Sequence, residues 1–276
     1  MNRKLLLLTG LFLFFALTSA LAQEAATASA GLPAASESAI ACSGFIAPTK
    51  LVRDIYVFDG ADNDFQVSLR QFSAGDFVYL RSRKGTPLAV GQEYALVRHA
   101  KEAFRISKYA GQRWSLGSLG RPYEDVGRVK VLSVTPEGAV AQVTFNCGAV
   151  FSGDLAIPYQ ARAIPEYTPG GRLERFALPN GKQLGAITAA ANNASVLGDG
   201  SIAYLNLGES DGVRPGQRFR VFRIFREPLE GFLAHPDTPR ETVGELVVLS
   251  TQEKSSAAVV VNCARDIHLG DGVELE

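Results

Sequence analysis

Two stretches of this chain repeat one another in the same order, and that limits the possible folds before any local propensity does. Phe77-Val78-Tyr79-Leu80 matches Ile202-Ala203-Tyr204-Leu205, and Gly91-Gln92-Glu93-Tyr94-Ala95-Leu96-Val97-Arg98 matches Gly216-Gln217-Arg218-Phe219-Arg220-Val221-Phe222-Arg223. A connecting segment longer in the first copy follows. Then Val126-Gly127-Arg128-Val129-Lys130-Val131-Leu132-Ser133 matches Val243-Gly244-Glu245-Leu246-Val247-Val248-Leu249-Ser250. Each copy closes on Asn-Cys and Gly-Asp: Asn146-Cys147 with Gly153-Asp154, and Asn262-Cys263 with Gly270-Asp271. The start is marked more faintly, by Ile55-Tyr56-Val57 against Ala186-Ile187-Thr188.

Within each copy Tyr94 and Leu96, or Phe219 and Val221, alternate with polar neighbours, and Val129 and Val131, or Leu246 and Val248, do the same. Alternation over short runs punctuated by Gly, Asp and Pro reads as strands and tight turns, with no long helical period between them. The fold class is therefore all-β, with a small antiparallel barrel or sandwich in each copy. The first unit is placed at residues 42–162 and the second at 182–276, with a Pro/Gly linker at 163–181 carrying Pro165, Pro169, Gly170 and Gly171. In the recurring Gly-Asp pairs, at Asp76, Asp154 and Asp271, the carboxylate is expected to cap backbone N–H groups of a turn.

The N-terminus sets the compartment. A basic start at Arg3-Lys4, an apolar run from Leu5 to Ala20 and the small-x-small pattern Ala20-Leu21-Ala22 describe a secretory signal peptide over residues 1–22. The run is shorter than the ~20 apolar residues a spanning helix needs, and no later stretch of the sequence supplies one, so no transmembrane segment is expected in the mature chain. Residues 23–41, rich in Ala and Ser, read as a flexible tether. The whole chain balances 28 basic against 28 acidic residues. That balance offers no basic field for nucleic acid. The mature protein is expected outside the cytoplasm, in the periplasm or associated with the cell envelope.

Cys42-Ser43-Gly44-Phe45 looks like the nucleophile motif of NlpC/P60 cell-wall peptidases, which gives an alternative reading as a cysteine hydrolase using Cys42. Such an enzyme needs a His base at the head of a following strand, and that place holds Ala89. Three cysteines in an exported chain also invite a disulfide with one thiol left over. Cys42 can pair with Cys147 inside the first unit, while Cys147 and Cys263, at matched places in the two copies, can serve as buried core residues or bridge the units. His99, His235 and His268 are isolated, without metal-ligand spacing. The Asp59 to Asp64 loop has Arg70 where a calcium loop has its twelfth-position Glu, and reads as a turn. No metal, cofactor or catalytic residue is expected.

The remaining hint of binding lies in the longer connecting segment of the first copy, where Tyr109, Trp114 and Tyr123 are interleaved with Arg105, Lys108, Arg113 and Arg121. Aromatic and Arg side chains on a loop can form an interface anchor or a sugar-stacking platform. The same segment could instead fold down over its barrel with Trp114 as a plug, which needs no ligand.

Ser201-Ile202-Ala203-Tyr204-Leu205-Asn206-Leu207-Gly208, Asp211-Gly212-Val213-Arg214-Pro215-Gly216-Gln217-Arg218-Phe219 and Leu269-Gly270-Asp271-Gly272-Val273 resemble the SH3-like C-terminal domain of flagellar assembly protein T and similar tail domains beside LysM modules in bacterial envelope proteins. The resemblance covers the second half of the chain closely and the first loosely; no LysM module is visible. It implies SH3-like barrels in an envelope protein. The expectation is an exported, non-enzymatic binding or scaffolding protein whose partner is an envelope protein or a cell-wall glycan.

Overall fold

The computed structural model describes residues 31–60, 71–224 and 240–276. The expected signal peptide, the first part of the tether, His235 and residues 61–64 of the Asp59 loop lie outside the described residues. Two closed antiparallel barrels of six strands each make up the chain. The first is built from β1 Ile55–Gly60, β2 Phe77–Ser82, β3 Glu93–His99, β4 Arg121–Thr135, β5 Gly138–Asn146 and β6 Leu155–Pro158. Around the ring these run β1-β2-β5-β4-β3-β6 and back to β1. The second uses β7 Leu184–Ala190, β8 Ile202–Leu205, β9 Arg218–Ile224, β10 Arg240–Thr251, β11 Ser256–Cys263 and β12 Gly272–Leu275, in the ring order β7-β8-β11-β10-β9-β12. Each strand's counterpart is six places on, and closure leaves no ring strand with an open edge. The tandem barrels expected from the repeat are therefore present.

The duplication extends to side chains. Val57, Val78, Leu80, Tyr94, Leu96, Val129, Val131, Ala141 and Val143 fill the first barrel, and Ile187, Ala203, Leu205, Phe219, Val221, Leu246, Val248, Ala258 and Val260 fill the second at corresponding places. Register shifts recur too: between Leu96 and Val97 in β3 as between Val221 and Phe222 in β9. A bulge re-aims the side chains that follow it, so matched bulges keep matched faces inward.

Hydrogen bonding corrects the repeat phasing at both ends. Val57 exchanges backbone bonds with the Gly153-Asp154 turn as Ile187 does with Gly270-Asp271. The start is therefore one residue away from the match of Val57 with Thr188. At the other end Gly127 pairs with Asn146 and Gly244 with Cys263, while the amides of Cys147 and Ala264 donate to Val126 and Val243. Cys147 thus corresponds to Ala264, and the expectation that Cys147 and Cys263 share a position fails. Register follows which face each side chain takes, and a one-residue slip reverses it; the shared Asn-Cys dipeptide sits where the strands are ending and constrains neither.

The expected flexible tether is folded over its described part. Leu32–Pro33 pairs with Glu166–Tyr167, and the helix α1, Glu37–Ala41, starts under the Ser36 hydroxyl, which accepts from the Ala39 amide. Ile40 is what holds it, because its side chain is buried with Ile46 in a third apolar cluster against the outer face of barrel two. Two further helices, α2 Glu102–Arg105 and α3 Gln112–Leu119, occupy the segment expected as a Gly-rich loop. Ala103, Leu116 and Leu119 from these helices pack against Ala189, Ile202, Tyr204, Val247, Leu249, Ala257 and Val259 on the outer face of barrel two. Both faces of β8 and β10 are consequently buried. The N-terminal segment and the insertion of the first unit thus share an apolar core with the outer face of barrel two.

Candidate binding surface

The joint between the barrels is where the cysteine motif lies. Cys42 is disulfide-bonded to Cys147, with Cα atoms 5.5 Å apart, which ties the N-terminal segment to the end of β5. Its sulfur is therefore not available as a thiolate, the form a cysteine nucleophile needs. Beside it the Ser43 carbonyl accepts from the Tyr204 hydroxyl at 2.9 Å, and the Gly44 amide donates to Asp125 Oδ2 at 2.8 Å. Gly44 has φ +64°, and a Cβ there would lie 2.2 Å from the Tyr204 oxygen. Only glycine fits this crossing point. Arg162 grips Asp125 with both terminal nitrogens, at 2.6 and 3.0 Å, and also donates to the Ile40 carbonyl. Tyr204 is 3% exposed, and burial holds its phenol well above the ordinary range. Ser43-Gly44 acts here as a fastening between units.

The Gly-Asp turns carry more than the expected caps. Asp76, Asp154 and Asp271 do accept from the amides of Ser73, Phe151 and His268, as anticipated. In addition Arg98 and Arg223, matched residues at the ends of β3 and β9, each form a two-pronged pair with the carboxylate of Asp154 or Asp271 at 2.7 to 2.9 Å. Each arginine also reaches a carbonyl five residues before its aspartate, Ala149 or Asp266. These duplicated pairs close the barrels at matching places, and two of the three turn aspartates are thereby accounted for as structure.

The aromatic residues singled out in the connecting segment separate into three roles. Tyr123, in β4, is not on a surface: it is 2% exposed, stacked 5.8 Å from Phe45, and its hydroxyl accepts from the Leu51 amide. Its place in the strand sets it under the Phe45–Ala47 segment, beside Val97. Tyr109 packs against the end of barrel two, its ring 3.2 Å from where a Cβ on Gly270 would stand. It provides the cover expected of Trp114, although over the second barrel. Trp114 itself plugs nothing; it is 81% exposed.

Helix α3 explains that exposure. Gln112, Leu116 and Leu119 recur at helical spacing and are buried, so positions 113 and 114 fall on the opposite side. Gln112 anchors the helix by donating to the Thr188 carbonyl of barrel two at 2.9 Å and accepting from the Lys108 amide at 2.7 Å. Arg113 is also exposed and donates to the Arg105 carbonyl. The outcome is one indole and one guanidinium standing on a short helix whose other face is locked into the shared core, with Ile106 exposed nearby in sequence. A pre-positioned aromatic on a rigid support costs little entropy when it binds. The spacing of Gln112, Leu116 and Leu119 was the available sequence signal for this helix.

A cleft of about 500 Å3 opens beside α1, lined by Glu37, Asp125, Arg128, Phe145, Tyr159 and Arg162 among others. Its charges offset one another through Arg162 and Asp125, and the Arg128 guanidinium lies flat over the Tyr159 ring at 4.0 Å. Among the described residues no group of three or more His, Cys, Asp or Glu could hold a metal ion, and no helix is long and apolar enough to cross a membrane. No protein-family model matches the chain, and no curated protein sequence matches it.

Proposed function

We propose that the chain is an exported, non-enzymatic protein of the bacterial cell envelope, and that it binds or scaffolds a cell-wall glycan or an envelope protein through the α3 surface. The observation that carries this reading is Trp114: a large apolar side chain left in solvent on a helix that is otherwise packed, where burial would have been worth a few kcal/mol. Export is supported by the N-terminal sequence pattern and by the Cys42–Cys147 bridge, since disulfides persist in oxidising compartments. The non-enzymatic reading is supported by that same bridge, which takes up the one sulfur placed in a peptidase-like motif. The resemblance of the second half to SH3-like envelope tail domains points the same way.

Trp114 is the single tryptophan of the chain, so intrinsic fluorescence reports on this surface alone. Titrating the mature protein with soluble peptidoglycan fragments, and separately with detergent-solubilised envelope protein, is expected to shift and saturate the emission with one of them. Trp114→Phe should retain the binding, measured by sedimentation with the partner, while Trp114→Ala should weaken it about tenfold or more. Retained affinity in Trp114→Ala would remove the α3 surface from the account.

A further inference from the structure

A second cleft, of about 380 Å3, lies at the end of barrel one where β3 ends and β4 and β6 begin, under the segment that leads into β1. Lys50, Arg53, Arg98, Lys101 and Arg121 line it, and no Asp or Glu does. Arg98 is committed to Asp154. Lys50, Arg53, Lys101 and Arg121 form no ion pair among the described residues. In a chain whose basic and acidic residues are equal in number, four unpaired cations around one cleft are a local excess. Two of them are held in place by rings: the Arg53 guanidinium lies 4.6 Å from the centre of Tyr56, and that of Arg121 lies 5.5 Å from Phe104. His99 lines the same cleft, its Nε2 buried and without a hydrogen-bond partner. Burial, and then the charges of Arg121, Lys101 and Lys50, keep its imidazole below the ordinary range.

The repeat supplies an internal comparison. At the corresponding end of barrel two, Val97, Tyr123 and Leu155 are replaced by Phe222, Arg240 and Gly272. The Phe222 ring covers Gly272 so closely that a Cβ there would be 2.4 Å away, and Arg240 lies 4.6 Å over that ring. Arg240 and Arg220 are both neutralised by the buried carboxylate of Glu274, at 2.6 and 2.9 Å, whose place in barrel one is taken by Ile157. Barrel two thus carries a buried carboxylate on the outer side of β12, where barrel one has an apolar side chain. Barrel one keeps an open cleft and surplus positive charge.

We propose that the barrel-one cleft binds a phosphate group, with Lys50, Arg53, Lys101 and Arg121 as its ligands and His99 Nε2 as a further contact. Arginine's planar fork and the lysine ammonium both suit phosphate oxygens. These cations gather around one cleft in a chain whose total charge is balanced, so the ligand is a discrete phosphate, free or on a lipid headgroup, and not a nucleic-acid backbone that needs an extended basic track. The site does not involve Trp114 and does not depend on the α3 reading.

Calorimetric titration of the mature chain with inorganic pyrophosphate at low ionic strength, and flotation with phosphatidylglycerol vesicles against phosphatidylcholine vesicles, test this. Saturable binding is expected to one or both probes, weakening about tenfold or more in the double variant Lys101→Gln/Arg121→Gln, whose two side chains are exposed. It should be unchanged in Lys130→Gln/Lys254→Gln, exposed lysines away from the cleft. Pyrophosphate binding assigns a free phosphate, and binding to the anionic vesicles alone assigns a headgroup. No saturable binding to either probe, or equal weakening in both double variants, overturns the proposal.

Discussion

Tyr204 links three parts of the molecule at the junction: its hydroxyl donates to Ser43 from the first half, and its carbonyl accepts from Thr188, whose own carbonyl accepts from Gln112 of α3. Burial raises its pKa, and the nearby Asp125 and Glu124 push the same way. The sign follows from linkage. The folded pKa lies above the unfolded value of about 10, so the neutral phenol's contribution is complete below that pH and is lost as pH rises through it toward the folded pKa, by about 1.4 kcal/mol per unit. Tyr94 and Tyr109 are raised by burial and add to the same loss. Urea unfolding between about pH 9 and 11 should therefore show stability falling, with a smaller fall in Tyr204→Phe. At neutral pH that variant should be less stable by about 1–3 kcal/mol, because the Ser43 carbonyl loses its buried donor. An unchanged pH slope would mean that Tyr204 ionises freely and is not held at the junction. Nothing in the sequence marks Tyr204 as different from Tyr79, its repeat mate, which is exposed on β2; the second barrel's outer face is covered at this position and the first barrel's is not.

At the scale of elements, strands were legible and the packing of their outer faces was not. Alternation located β3, β4 and β9, because one face of each meets a barrel interior. The alternation expected at Leu246 and Val248 fails, because Val247 and Leu249 are apolar too; this run and Ala257 to Val261 are unbroken, which signals burial on both faces. That signal was present in the sequence and indicates the shared core. Helix α3 was obscured by the glycines at its ends, Gly111 and Gly120, which suggest a loop although they serve as its boundaries. The phosphate cleft was beyond reach for a different reason: Lys50, Arg53, Lys101 and Arg121 span some seventy residues and are gathered only by barrel closure. The two faces of α3 give a paired prediction. Leu116→Ala should cost about 2–5 kcal/mol in chemical denaturation, since Leu116 is 0% exposed in the joint core. Trp114→Ala should change stability by less than about 0.5 kcal/mol. Equal losses for the two would return Trp114 to the role of a plug.

For the whole molecule, the two barrels match in strands, bulges and Arg-Asp closures, and differ in what covers them. Barrel two is enclosed: α3, Tyr109, Ile46 and the N-terminal segment cover it, and Glu274 neutralises Arg220 and Arg240 on its outer side. Barrel one stays open, with the cationic cleft at one end and the insertion bearing Trp114 beside its partner. The Trp114 surface depends on the barrels being one body, because Trp114 is presented by a helix anchored on barrel two and inserted in the chain of barrel one. The disulfide, the Arg162–Asp125 clamp and the shared apolar cluster all act at that joint. Differential scanning calorimetry of the oxidised mature protein tests this most directly. A single cooperative transition is predicted, with Leu116→Ala lowering the whole of it; two separate transitions, only one of them moved by Leu116→Ala, would contradict the account.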